Sequence, residues 1–326
     1  MRNFTFKGLF LTAVFMLLGC FSIQAADDDL ITKQITINLD KAGTLPNKIA
    51  SSEMYKITNL KIIGEINGTD WNMIREMAGR DNRGYGTEGK LSVLDLSEAK
   101  IVKGGDSYYP GDNCYTSNDE IGEKAFTDCS RLTSLTLPVG ITSIGYDAFA
   151  YCSGLTSLTL PAGITSIGEY AFSGCSGLTS LTLPAGITSI DKYAFSGCSR
   201  LTSLTLPAGI TSIGEFAFSY CSGLTSIYVY AEKVPRIGRY AFEGCASRKC
   251  TLYVPKGTYD NYRLSEFGYF ENIVEFDATG IDKTTTSTDV EEVSRYSLNG
   301  QRLAVPVKGL NIVKYSDGTA RKVVVK

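Results

Sequence analysis

The sequence predicts a repeat solenoid, mainly β, with a short helical or 3-10 turn in each 23-residue repeat, an α+β N-terminal cap and a small β tail. Three observations predict it. From Ser130 the chain reads SRLTSLTLPVGITSIGYDAFAYC, then SGLTSLTLPAGITSIGEYAFSGC, with two near copies beginning at Ser176 and Ser199. Cys129, Cys152, Cys175, Cys198 and Cys221 fall 23 residues apart, and Cys245 follows after one inserted residue. Within each unit leucines alternate with small polar residues, as a half-buried strand requires.

The elements follow in chain order. Residues 1–25 carry Arg2 and Lys7, an uncharged run from Gly8 to Phe21, and Ala25-Ala26 before an acidic stretch, which reads as an export signal. Two processing routes fit it: cleavage beside Ala25 or Ala26, or use of Leu17-Leu18-Gly19-Cys20 as a lipobox that leaves a lipidated Cys20. No later stretch approaches the roughly 20 apolar residues of a membrane-spanning helix. Residues 26–90 form the N-terminal cap, with strands over 34–40 and 57–66. Thr69-Asp70 caps an amphipathic helix that buries Trp71, Ile74 and Met77. The repeats run over 91–245, interrupted at 102–120 by a Gly- and Tyr-rich insertion whose Tyr108, Tyr109 and Tyr115 are expected at the surface as a specificity loop. Residues 246–278 close the array and 279–294 form a polar linker. The tail, 295–326, carries Asn299-Gly300 and Asp317-Gly318 as hairpin turns.

Inside one unit, Leu135 and Leu137 point inward and Ser134 and Thr136 outward, and Pro138 ends the strand. Ile141 and Ile144 begin a second inward segment. Gly145 turns the chain, and Ala148, Phe149 and Cys152 close the coil. Asp191 replaces that glycine in one copy, which its tolerance of left-handed backbone would explain.

Composition limits the chemistry. The 326 residues include 32 basic and 34 acidic side chains and no histidine, for a net charge of −2. This gives no footprint for nucleic acid, and it excludes imidazole catalysis and every histidine-containing metal site. Gly84-Tyr-Gly-Thr-Glu-Gly-Lys90 satisfies a phosphate-loop pattern, but a helix precedes it and a strand follows, the reverse of what phosphate binding needs. Six of the cysteines occupy one repeat position and read as buried thiols packing as small hydrophobes. A bridge between Cys245 and Cys250 is open within the C-terminal cap. No catalytic, cofactor-binding or metal-binding set is visible, so the chain reads as no enzyme and needs no cofactor.

Two repeating surfaces remain as a binding face. Thr133, Ser134 and Thr136 recur as Thr156, Ser157 and Thr159, as Thr179, Ser180 and Thr182, and as Thr202, Ser203 and Thr205, giving a hydroxyl array. Tyr170, Tyr193, Phe216 and Tyr240 form a second column, each before an Ala-Phe pair.

The units L-T-S-L-T-L-P-x-G-I-T-S-I-G-x-x-A-F-x-x-C resemble the BspA-like class of leucine-rich repeats of exported bacterial surface proteins. Ile66-Asn67-Gly68-Thr69-Asp70, Leu94-Asp95-Leu96-Ser97 and Cys250-Thr-Leu-Tyr-Val-Pro-Lys-Gly257 resemble the same family, over roughly residues 34–276. The resemblance implies a leucine-rich-repeat solenoid exposed at the cell surface. It implies adhesion to a protein or glycan of a host or another bacterium, and transfers no catalytic residues. A structural envelope or spacer protein without a specific ligand is the other reading.

Overall fold

In the computed structural model each 23-residue unit winds one coil with three sides, because its apolar residues come in three short runs that all turn toward one axis. Residues 29–109, 114–278, 292–297, 302–303, 309–315 and 320–325 are described. The export segment with Cys20, the chain from 279 to 291 and both hairpin turns of the tail lie outside them.

The first side is a strand. Ser134–Thr136 and Ser157–Thr159 pair in parallel, as do Ser180–Thr182, Ser203–Leu206 and Ser226–Val229, with leucine over leucine and Ile227 over Leu204. They belong to two five-stranded sheets in series, which begin with Ile35–Leu39, Asn59–Ile66 and Val93–Ile101 and end with Thr251–Pro255 and Asn272–Phe276. Both cap regions therefore contribute strands to the same row as the repeats. The second side is a two-residue strand: Glu120–Ile121, Ser143–Ile144 and Ser166–Ile167 form one parallel sheet, and Ser189–Ile190, Ser212–Ile213 and Arg236–Ile237 another.

The third side refines the helical or 3-10 turn read from the sequence. Bonds of the 3-10 kind are present, from Ala150 N–H to Asp147 O (3.1 Å) and from Cys152 N–H to Phe149 O (3.1 Å). Asp147 and Tyr151, with φ of 53° and 60°, interrupt them. Alternate N–H groups are thereby turned toward the next coil, where Phe149 donates to Ala171 O (2.7 Å) and Tyr151 to Ser173 O (2.7 Å). The turns thus make an inter-coil ladder that donates forward, while at the entry to the strands the donation runs backward, as from Thr156 N–H to Thr133 O (3.1 Å).

Stacked rings fill the axis. Phe126, Phe149, Phe172, Phe195, Phe218 and Phe242 lie 5.0 to 5.4 Å apart, with Trp71 at one end (5.1 Å from Phe126) and Phe270 at the other (5.3 Å from Phe242). Beside them each ladder cysteine after the first donates its thiol to the phenylalanine carbonyl of the preceding coil, from 3.0 Å for Cys152 to 3.4 Å for Cys198. A thiol suits this place because it is small and apolar, yet satisfies an acceptor.

The N-terminal cap closes the open end of the ladder with side-chain donors. Helix Gly68–Met77 is capped by Asn67, two residues ahead of the expected Thr69-Asp70: Asn67 Oδ1 accepts from Thr69 N–H (3.0 Å) and Asp70 Oδ2 from Asn67 N–H (2.9 Å), a capping box. From this helix Trp71 Nε1 and Arg75 Nη1 donate to Ala125 O at 2.9 Å, and Tyr108 Oη donates to Glu123 O at 3.0 Å. These carbonyls have no earlier coil to serve them. Tyr108 is therefore buried core and not a surface residue of the insertion; Tyr115 is the exposed one. Downstream, Tyr262 is buried and donates to Ala231 O (2.6 Å). In the tail, Arg302–Leu303, Glu292–Ser297, Gly309–Tyr315 and Ala320–Val325 form an antiparallel sheet in that order.

Candidate binding surfaces

Register assembles the outward side of the strands into columns that the sequence does not place side by side. One row in two sheets results: Thr159 and Thr136 continue backward to Asp95 and Lys61, and across the division between the sheets Thr182 and Thr205 continue forward to Tyr228 and Tyr253. Its first part is ionic: Lys61 Nζ lies 2.6 Å from Glu98 and 3.5 Å from Asp95. Burial alone would raise the Asp95 carboxyl, but bonds from Ser97 and Lys61 outweigh it and hold it below its usual range. Its middle is hydroxyl-bearing, and its last part aromatic. Tyr228 and Tyr253 stack at 4.4 Å, and Phe276 packs edge-on to Tyr228 (6.0 Å) and Tyr230 (5.1 Å). Burial pushes the phenols of Tyr228 and Tyr230 up.

Sequence reasoning missed this aromatic part because Tyr228 departs from the repeated threonine and Tyr253 lies beyond the 23-residue period. The alternation in Ser226–Val229 and Thr251–Pro255 was the available signal.

The expected hydroxyl array is smaller than it looks in sequence. Thr156, Thr179 and Thr202 each donate Oγ1 to the threonine carbonyl one coil earlier, at 3.1, 3.3 and 3.0 Å, and Thr133 does the same to Ser92 O at 3.1 Å. Those hydroxyls hold coils together. Ser134, Ser157, Ser180 and Ser203, with Thr136, Thr159, Thr182 and Thr205, remain as the outward polar set, Ser134, Ser203 and Thr205 being only part-exposed.

The tyrosine column lies on the turn side, so the structure does not join it to the threonine array. Tyr170, Tyr193 and Phe216 stack face to face at 4.6 and 4.8 Å, within 4° of parallel; Tyr146 meets Tyr170 edge-on at 5.8 Å, and Tyr240 tilts against Phe216 at 5.2 Å. Each inner ring covers its neighbour's face and leaves an edge outward.

Cys245 and Cys250 are separate buried thiols in this structure, not the expected bridge. Cys245 is committed to Phe218 O at 3.2 Å, while the Cys250 thiol is directed at Thr251 O, 4.0 Å away. Gly84–Lys90 forms a loop between a helix and a strand, the arrangement expected to disfavour phosphate. Among the described residues no group of three or more Cys, Asp or Glu is placed to hold a metal ion, and no helix is long and apolar enough to cross a membrane.

Residues 119–249 match the BspA type leucine rich repeat region in six copies. The repeats of this chain are of the BspA type. Solved structures similar to the chain include a leucine-rich repeat protein of T. pallidum, 31% identical over 42% of this chain and 63% of its own, with a TM-score of 0.40. A leucine-rich cell surface protein of Faecalibacterium prausnitzii is 23% identical over 67% of this chain and 51% of its own (TM-score 0.34). A leucine-rich repeat protein of Bacteroides ovatus is 20% identical over 60% of this chain and 66% of its own (TM-score 0.28). The chain thus spans less than two thirds of each of these leucine-rich neighbours. No curated protein matches it.

Proposed function

We propose that this protein is an exported, surface-displayed, non-enzymatic binding protein that holds a protein or glycan of a host or another bacterium on the outward side of its strands. The observation that carries this reading is the row, in two successive sheets, that passes from the Lys61–Asp95 ion pair through outward threonines to stacked Tyr228 and Tyr253. A graded strip of charge, hydroxyl and aromatic groups suits recognition, since within each sheet the coils beneath it hold the side chains in place before a ligand arrives. The export segment supports display, by ordinary cleavage or through a lipid on Cys20.

A spacer without a ligand is favoured by one observation, the use of the Thr156, Thr179 and Thr202 hydroxyls to tie coils together. The two readings part on variants. Thr159→Lys with Thr182→Lys should abolish capture on protein and glycan arrays while the melting temperature stays within a few degrees of the parent. Arrays that capture nothing with the parent chain favour the spacer. Protease shaving of intact cells, with the mass of the mature chain, tests display: a chain protected from shaving and starting near Ala26 overturns it.

A further inference from the structure

The residue before each ladder cysteine forms a column of its own: Asp128, Tyr151, Gly174, Gly197, Tyr220 and Gly244. All six have positive φ, from 58° to 74°. This is backbone that glycine adopts freely, whereas another L-residue is strained by roughly 1–2 kcal/mol. Glycine fills half of the column, yet two positions keep a bulky ring. Strain of this kind persists where something else requires the side chain.

Core packing does not require these two. Tyr151 and Tyr220 are each 60% exposed, and neither pairs with another aromatic ring among the described residues. The next coil carries glycine beside both. A Cβ on Gly174 would fall 2.7 Å from Tyr151 Cδ1, and one on Gly244 2.8 Å from Tyr220 Cδ1. The same tyrosine-on-glycine pairing thus occurs twice, seating each ring against the backbone of the coil ahead of it. A ring held this way loses little freedom on binding.

From these observations we infer that the turn side binds a neutral oligosaccharide through Tyr151 and Tyr220. The inference rests on the reading of the chain as a binding protein, and gives it a second surface and a ligand class. Three coils separate the rings, or roughly 14 Å at the usual strand spacing. Between them the column holds only Gly174 and Gly197, beside Ser173 and Ser196. The charges around this stretch are of both signs: Glu243 precedes Gly244, Arg200 follows Gly197 by three residues, and in the column of Glu169, Lys192 and Glu215 the lysine pairs with Glu215 at 3.5 Å, so no single sign selects an ion.

Backbone recognition is closed as well. The N–H groups of Tyr151, Gly174, Gly197 and Tyr220 all bond to the next coil at 2.6 to 2.8 Å, leaving a peptide no edge to extend as a strand. What remains is exposed aromatic surface at either end of an uncharged floor of glycine and part-exposed serine, where Ser196 Oγ already shares a hydrogen bond with Ser219 Oγ at 2.8 Å. This matches the apolar C–H faces and hydroxyl rims of pyranose rings, in a chain long enough to reach both tyrosines.

Affinity electrophoresis tests this directly, running the full chain through native gels that contain a β-glucan, an arabinoxylan or an α-mannan, with polygalacturonate as the acidic control. Oligosaccharides of the retarding polymer are then titrated by calorimetry. Retardation in at least one neutral gel and none in polygalacturonate is expected. The Y151G/Y220G chain should lose at least about tenfold in affinity while its melting temperature holds or rises, because glycine is what the column otherwise carries. Y151F should keep its binding. Retardation in no neutral gel, retardation only in polygalacturonate, or equal retardation of Y151G/Y220G overturns the inference. A parent chain that captures a protein on arrays but no neutral polysaccharide overturns the sugar site and leaves the binding-protein reading standing; one that captures neither sinks both.

Discussion

Two successive joints of the solenoid are built from nearly the same sequence and bond differently. Where Ser166–Ile167 follows Ser143–Ile144, the second-side sheet is continuous: Thr165 N–H reaches Thr142 O at 2.9 Å and Gly168 N–H reaches Ile144 O at 2.8 Å. Where Ser189–Ile190 follows Ser166–Ile167, the sheet is interrupted, and the corresponding bonds of Thr188 and Asp191 are absent among the described residues. The first-side sheet divides at the same place, between Ser157–Thr159 and Ser180–Thr182, with Thr179 N–H to Thr156 O stretched to 3.3 Å. Only the turn side stays closed there, with Phe172 N–H at 2.7 Å from Ala194 O.

The coil that follows the open joint carries Asp191-Lys192 where the coil before it has Gly168-Glu169, and only Asp191 replaces a glycine. Glycine at this place is required for closeness and not for handedness: a Cβ on Gly168 would lie 2.9 Å from Gly145 C, and one on Gly214 2.7 Å from Asp191 C. None of Gly145, Gly168 and Gly214 has positive φ, and neither does Asp191. The tolerance of aspartate for left-handed backbone is thus not what admits it. Asp191 thus places a Cβ where the neighbouring coils have none, at the joint where two sheets part while the turn ladder and the phenylalanine stack, 5.1 Å from Phe172 to Phe195, keep the coils together.

The largest effect should come from alkali, which acts on the buried thiols of the array. Burial pushes Cys129 and Cys250 up to about 11 and Cys152 and Cys175 well above the ordinary thiol range; a bond with the Cys198 thiol, then burial, does the same for Cys221. Thiols that stay protonated in the fold but ionise when unfolded stabilise fully below about pH 8.5, and that stability is lost as pH rises toward 11. At pH 10 a thiol held at about 11, as Cys129 is, contributes about 2 kcal/mol less than at pH 7. Urea unfolding at pH 7.5 and pH 10 should show a loss that adds over several thiols. Iodoacetamide labelling with mass spectrometry should modify Cys198, whose 3.4 Å bond crosses the open joint, before Cys175 at 3.1 Å. Equal stability at both pH values would contradict the thiol ladder.

Truncating the stack comes next. Phe149→Ala and Phe172→Ala should each cost about 3–5 kcal/mol, but with different consequences for cooperativity. Phe172 stacks across the joint where the sheets contribute least, so its loss should split urea unfolding into two steps, as nearest-neighbour coupling in a repeat array predicts. Phe149→Ala should keep one step. Identical single transitions would show that the two joints are equally strong.

Much of this architecture was legible because it is periodic. Leu135, Ile144, Phe149 and Cys152 announce their sides by recurrence, and the resemblance to BspA-type repeats follows from the same residues. What recurrence hides is which atoms are already engaged. Thr156 and Thr159 look equivalent in sequence, yet one hydroxyl bonds the preceding coil and the other faces outward, a distinction set by inter-coil register. Asn67 was passed over as the helix cap because Thr69-Asp70 also fits the pattern, and Tyr108 was placed outside because a glycine-rich insertion ordinarily is. Tyr151 and Tyr220 escaped notice because their column alternates with glycine, which reads as turn chemistry until the positive φ is seen.

Moving the aspartate into the closed joint gives a smaller effect. Gly168→Asp places a side chain where backbone lies within 2.9 Å, so it should open this joint as Asp191 opens the next and destabilise by about 1–3 kcal/mol. Hydrogen exchange at Thr165 and at the residue 168 amide should accelerate toward the rates at Thr188 and Asp191.

The reverse change, Asp191→Gly, should have the smallest effect and the most informative sign. Removing the Cβ lets the coil approach, and the Thr188 N–H and residue 191 N–H can then reach Thr165 O and Ile167 O as their counterparts do one coil away. Each such bond contributes about 0.5–1.5 kcal/mol, against about 0.4–1 kcal/mol lost because glycine frees the unfolded chain. The balance favours the variant by about 1 kcal/mol. Urea unfolding should shift to higher midpoint with unchanged slope, and the Thr188 amide should become protected from exchange. A destabilised variant with Thr188 still exchanging freely would mean that the parting of the sheets has a cause other than the Cβ of Asp191.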